Sequence, residues 1–77
     1  MVESIVQFIC EYEGMEPSEV QPNMNLRTDL GLTSLELFDL FNAMERKFAV
    51  KNVSNGEIAK IETIQDIADF IAQKNAQ

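Results

Sequence analysis

The residues of this 77-residue chain that could do chemistry are concentrated in one stretch, Asp29-Leu30-Gly31-Leu32-Thr33-Ser34-Leu35-Glu36-Leu37. Ser34 is a primary hydroxyl placed where a helix should begin, shortly after a glycine and just before a strongly periodic apolar run. A hydroxyl in that position has two uses. It can cap or simply begin the helix, answering backbone N–H groups that the first turn leaves free. It can also carry an anionic group, which those N–H groups and the positive end of the helix dipole would stabilise. Spacing alone leaves both uses open.

Little else in the chain could activate such a hydroxyl. There is no histidine, which removes Ser–His and Cys–His pairs, the commonest general base, and nearly all zinc sites. The single cysteine, Cys10, can form no intrachain disulfide and reads as a buried or half-buried helix residue. No Asp-rich twelve-residue loop with a central Gly is present, which argues against a calcium site. An enzyme built from these residues would need a purely carboxylate mechanism and a cleft to hold it. We therefore expect no catalytic residues and no metal ligands.

A net charge of −7, from 13 acids against 6 bases, argues against nucleic acid, where a basic face supplies most of the affinity. It equally disfavours anionic membrane surfaces and points to a partner with a basic surface. No run approaches the roughly 18 apolar residues of a membrane span, and no basic region precedes an apolar run at the start. The expectation is a soluble, unprocessed, cytoplasmic protein, monomeric when unbound. At this length it should be one domain, 1–77, with a single small core.

The elements that must position Ser34 follow from apolar spacing. Ile5, Phe8, Ile9 and Tyr12 form one helical stripe over 2–13, ended by Gly14 as a C-cap able to take positive φ. Ser4 or the chain terminus would cap its start. From Met15 to Thr33 no period is sustained, with Pro17 and Pro22 interrupting and Pro17-Ser18-Glu19-Val20 suited to a brief helical turn. Val20, Met24, Leu26, Leu30 and Leu32 should pin this long loop to the core. The second helix opens at Thr33 or Ser34, where Thr33 and Glu36 match a capping box, and runs to about Phe48. Its stripe is Leu37, Phe41, Met44 and Phe48, widened by Leu40. The other face carries Glu36, Asp39, Asn42, Glu45 and Arg46.

Residues 49–54 read as a connection, with Val53 pointing inward, and 54–59 as a short helix weakened by Gly56. Thr63 and Asp66 signal a last helix with the stripe Ile64, Ile67, Ala68 and Ile71, fraying after Gln73. No segment alternates with the period of a strand. Three amphipathic helices, a short fourth and one long loop predict an all-α, small four-helix bundle.

In this frame the chain resembles the acyl carrier proteins. The run Asp29-Leu30-Gly31-Leu32-Thr33-Ser34-Leu35-Glu36 is similar to the family's attachment motif, commonly Asp-Leu-Gly-x-Asp-Ser-Leu-Asp. Glu45-Arg46-Lys47-Phe48 and Lys60-Ile61-Glu62-Thr63-Ile64-Gln65-Asp66-Ile67 resemble family patterns in spacing and type. The resemblance implies that Ser34 bears a 4′-phosphopantetheine arm through a phosphodiester, installed from coenzyme A by a phosphopantetheinyl transferase. The arm's thiol would hold acyl intermediates as thioesters for acyl-processing enzymes, in fatty acid or related lipid or polyketide biosynthesis. An aminoacyl or peptidyl carrier is the alternative within that class. A small helical interaction domain without a prosthetic group is the alternative outside it.

Two departures from the family pattern bear on recognition. Thr33 stands where the family most often has Asp, a change that keeps a capping hydroxyl but removes a charge. Arg46 and Lys47 replace positions that are often acidic, leaving Leu35, Glu36, Asp39, Asn42 and Glu45 as the expected partner-binding face. Phe38, Phe41, Phe48 and Phe70 are bulky for such a bundle and suggest a smaller or differently shaped acyl pocket than in typical fatty-acid carriers.

Overall fold

The computed structural model describes residues 2–51 and 53–75. Four α-helices form: α1 (Val2–Glu13), α2 (Ser34–Phe48), α3 (Asn55–Lys60) and α4 (Ile64–Asn75), with a 3₁₀ turn at Pro17–Glu19 inside the first loop. The chain is all-α among the described residues, its one extended feature being an isolated antiparallel bridge between Asn25 and Thr63. No described helix is long and apolar enough to cross a membrane.

Each helix begins and ends for a local reason. Gly14, at φ +72°, turns the chain out of α1 in the left-handed region that glycine adopts without strain. The start of α1 adjoins Met1, so the expected capping by the terminus lies outside the described residues. Ser54 caps α3 through a complete box with Glu57: the Glu57 amide donates to Ser54 Oγ and the Ser54 amide to Glu57 Oε1. That box supports a helix in which Gly56 would otherwise be costly. The connection before it contains a partly buried Val53 and a buried Val50, while Asn52 lies outside the described residues. At α4, Asp66 Oδ2 accepts from the amides of Glu62 and Thr63, and Thr63 Oγ1 accepts from Asp66. Asp thus does what Glu does in the commoner box. The helix runs past Gln73, where fraying was expected, to Asn75, with Lys74 anchored by a 3.0 Å ion pair to Glu57 of α3.

The stripes meet in one core. Ile5 and Ile9 of α1, Leu37, Leu40 and Met44 of α2, and Ile64, Ile67 and Ile71 of α4 are all essentially inaccessible to solvent. Val20, Leu26 and Leu32 reach the same core from the long loop, as their isolation in a polar segment suggests. Two expectations change. Tyr12 ends the α1 stripe but stays 48% exposed, whereas Cys10 is 3% exposed, so the buried face of α1 is rotated towards Cys10 at its C-terminal end. Of the four phenylalanines counted as bulky core residues, only Phe41 is fully buried. Phe48 and Phe70 are partly covered, and Phe38 is 37% exposed on the solvent side of α2.

Candidate functional site

Ser34 is the first residue of α2, and the loop before it is tied down by hydrogen bonds rather than left free. The Leu26 amide donates to Glu62 O (2.8 Å) and the Gln65 amide to Pro22 O (2.9 Å), which fastens the loop to the α3–α4 junction. Within the loop, Asn25 is the centre. Its Oδ1 accepts from Arg27 and Thr28, its carbonyl accepts from Asp29 and Leu30, and its own amide donates to Asp29 Oδ2 at 2.7 Å. The Leu32 amide then donates to Leu26 O (3.0 Å). Gly31 sits between them at φ +74°, a backbone conformation that suits glycine and lets the chain reverse into the helix.

The helix start itself is made by Thr33. Its Oγ1 accepts from the Glu36 amide (3.2 Å), and its amide donates to Glu36 Oε1 (2.9 Å), completing the expected box. Thr33, not Ser34, is therefore the cap. The Ser34 hydroxyl is exposed and makes no hydrogen bond among the described residues, and the amides of Ser34 and Leu35 find no acceptor there either. An exposed hydroxyl, two free N–H donors and the positive end of a fifteen-residue helix thus converge at one surface point. Such a place can hold a phosphate ester: the hydroxyl supplies the ester oxygen, and the amides face the developing or resident anion.

Around it the surface is acidic and apolar. Leu35 is 76% exposed, the most solvent-facing large apolar side chain of α2, and Phe38 follows one helical turn on. Of the other residues expected to form a partner face, Glu36, Asp39 and Asn42 are exposed and Glu45 is half-buried. Glu13, at the end of α1, joins them. Burial raises its carboxyl above the usual range, and the negative charges of Glu36 and Asp39 raise it further. Tyr12 lies beside the same region, its hydroxyl 3.5 Å from Asp39 O, a long contact at the limit for a hydrogen bond.

The helix start at Ser34 and its capping box were legible in the sequence, and three neighbours of Ser34 were not. Phe38 was counted with the core because of its size, although its spacing of three from Leu35 puts both on one exposed arc. Glu13 reaches the site only through tertiary packing, and no local signal marks it. The hub at Asn25 had only its turn-forming type as a clue.

Comparison with known proteins identifies the family to which the chain is similar. The family described as "Phosphopantetheine attachment site" matches residues 3–71. The chain is 32% identical over 77 residues to the acyl carrier protein of Solidesulfovibrio magneticus, covering 100% of this chain and 97% of that protein. It is 32% identical over 74 residues to the acyl carrier protein of Zymomonas mobilis, covering 96% and 94% respectively. Among solved structures, the apo doublet acyl carrier protein from prodigiosin biosynthesis superposes with a TM-score of 0.81 at 27% identity. That match covers 95% of this chain, which spans 35% of the doublet. The described fold and these near full-length similarities place the chain in one family: it belongs to the acyl carrier proteins, which bear covalently attached 4′-phosphopantetheine.

Proposed function

We propose that Ser34 is the attachment residue and that the chain carries acyl groups for partner enzymes without catalysing a reaction itself. The observation that carries this reading is the division of labour at the start of α2. Thr33 and Glu36 complete the cap, leaving the Ser34 hydroxyl exposed and unengaged. A serine needed only as a cap would have its oxygen on a backbone amide, as Ser54 does at α3. When attached, the arm supplies a thiol that holds the cargo as a thioester. The chain's own residues would do the rest. The amides of Ser34 and Leu35 stabilise the phosphodiester, the clamped loop fixes the attachment point, and Leu35, Glu36, Asp39, Asn42 and Glu45 meet the partner. Fatty acid or related lipid or polyketide biosynthesis is the setting we assign, with a cytoplasmic, monomeric carrier as its form. The curated relatives' own designation as acyl carrier proteins supports an acyl cargo over an aminoacyl one.

The test uses the chain's single cysteine. Cys10 is buried, and that burial, with Glu16 and Glu11 nearby, pushes its thiol pKa up, so native apo protein should react slowly with thiol reagents. Treatment with coenzyme A and a broad-specificity phosphopantetheinyl transferase should create one fast-reacting thiol, absent from Ser34→Ala. No new thiol with any of several transferases, or the same new thiol in Ser34→Ala, would contradict the reading.

A further inference from the structure

Asp29 opens the stretch that holds Ser34, and an exposed acid so close to the attachment serine could serve either a partner or the chain itself. Its geometry favours the second use. Asp29 Oδ2 accepts from the Asn25 amide at 2.7 Å, a short, charge-assisted bond. Asn25 holds the segment in return. Its Oδ1 accepts from the amides of Arg27 (2.8 Å) and Thr28 (3.0 Å), and its carbonyl from those of Asp29 (3.0 Å) and Leu30 (3.1 Å). Every backbone N–H from Arg27 to Leu30 thus ends on Asn25.

The locked segment sits on a fixed base. Leu26 is fully buried, its amide donates to Glu62 O at 2.8 Å, and its carbonyl accepts from the Leu32 amide at 3.0 Å. Leu32 is also buried, and Asn25 bridges to Thr63. Residues 26–32 therefore form a loop closed at Leu26 and Leu32, with the cap at Thr33 and then Ser34 immediately beyond. Between those leucines only Leu30 reaches the core, and only in part, while Arg27, Thr28 and Asp29 are exposed. Without the Asn25–Asp29 lock, motion of this segment would pass through Gly31 to the residues that start α2. A nucleophile displaced by about 1 Å can lose about a hundredfold in rate.

The structure assigns Asn25 and Asp29 as positioning residues for the modification of Ser34. They hold the loop so that Ser34 Oγ is presented at one fixed point to coenzyme A on the transferase. The charge of Asp29 serves the loop, not the partner. This deepens the reading of Ser34 as the attachment residue and rests on it.

The experiment measures kcat and KM for modification of the apo protein by a broad-specificity phosphopantetheinyl transferase with coenzyme A, well below the unfolding midpoint of every variant. Asn25→Ala and Asp29→Ala should lower kcat about tenfold with KM unchanged, the signature of a misplaced nucleophile. Asp29→Asn keeps an acceptor oxygen without the charge, and Asn25→Ser keeps one that can reach the same amides. Both should return kcat to within about twofold of wild type. Hydrogen exchange at the Arg27 and Thr28 amides should quicken in Asn25→Ala and recover in Asn25→Ser.

A KM that rises equally in Asp29→Asn and Asp29→Ala means that the partner reads the charge, and overturns the assignment. An unchanged kcat in the Ala variants also overturns it, whatever their loss in Tm, because a purely structural pair moves only stability. Asp29→Ala removes a single bond and decides the matter if Asn25→Ala does not fold. Wild type that none of several transferases modifies overturns the reading of Ser34, and this assignment with it.

Discussion

Thr33 and Glu36 hold each other's backbone: the Glu36 amide donates to Thr33 Oγ1 at 3.2 Å, and the Thr33 amide donates to Glu36 Oε1 at 2.9 Å. This reciprocal pair starts the helix and frees the neighbouring Ser34 from that task. Folding and function are therefore separable at adjacent residues. Thr33→Ala should lower stability by about 1 kcal/mol, or about 4–8 °C in Tm for a domain of this size. Thr33→Asp keeps an acceptor and adds a charge that the dipole favours, so its Tm should stay near the wild-type value. Thermal unfolding by circular dichroism checks both, and equal losses in the two variants would refute the cap.

Ala49 ends α2 at φ 55° and ψ 39°, left-handed backbone in a residue that carries a Cβ. The amides of Ala49 and Val50 both donate to Glu45 O, so the conformation is needed to close the helix. Ala49→Gly should raise stability by about 1 kcal/mol by removing that strain. A denaturant titration showing a loss instead would contradict it.

Burial separates two leucines of one helix. Leu40 is fully enclosed and Leu35 is 76% exposed. Leu40→Ala should cost about 2–5 kcal/mol, enough to threaten a domain this small, whereas Leu35→Ala should change stability by less than about 0.5 kcal/mol. The same titration measures both.

Acid stability depends on two carboxyl groups whose pKa values are shifted in opposite directions. The Glu62 and Thr63 amides hold Asp66 below its usual range, so its contribution is complete above the ordinary Asp value and is lost as pH falls through the depressed folded value. Glu13 is raised by burial and by Glu36 and Asp39, so it opposes folding at neutral pH and that opposition fades as acid protonates it. Asp66→Asn should therefore be less stable at neutral pH with a flatter acid limb, and Glu13→Gln more stable at neutral pH. Unfolding midpoints across pH would show either sign to be wrong.

Most of the fold could be read from the chain because its signals are local. The stripes at Leu37, Leu40 and Met44 and at Ile64, Ile67 and Ile71 lie on the buried faces, and the boxes at Thr33 and Thr63 open the expected helices. What escaped is non-local. Tyr12 continues the α1 stripe by spacing, but its ring stacks beside Phe8 at the surface, 5.9 Å between centroids, rather than entering the core. The bridge from Asn25 to Thr63, which fixes the loop leading to Ser34, joins segments that no sequence period links. The candidate site is legible to the same extent: Ser34 from its place at a helix start, Glu13 and Asn25 only from packing.

The central claim is that one hydroxyl bears the arm. The chain has four serines, Ser4, Ser18, Ser34 and Ser54, all exposed, and Ser54 is engaged as a cap. Intact-mass analysis after coenzyme A and transferase treatment tests the claim directly on the four single Ser→Ala variants. We predict that wild type, Ser4→Ala, Ser18→Ala and Ser54→Ala each gain the mass of one phosphopantetheine and Ser34→Ala gains none. Modification of Ser34→Ala, or loss of modification in any of the other three with its fold intact, would contradict the assignment.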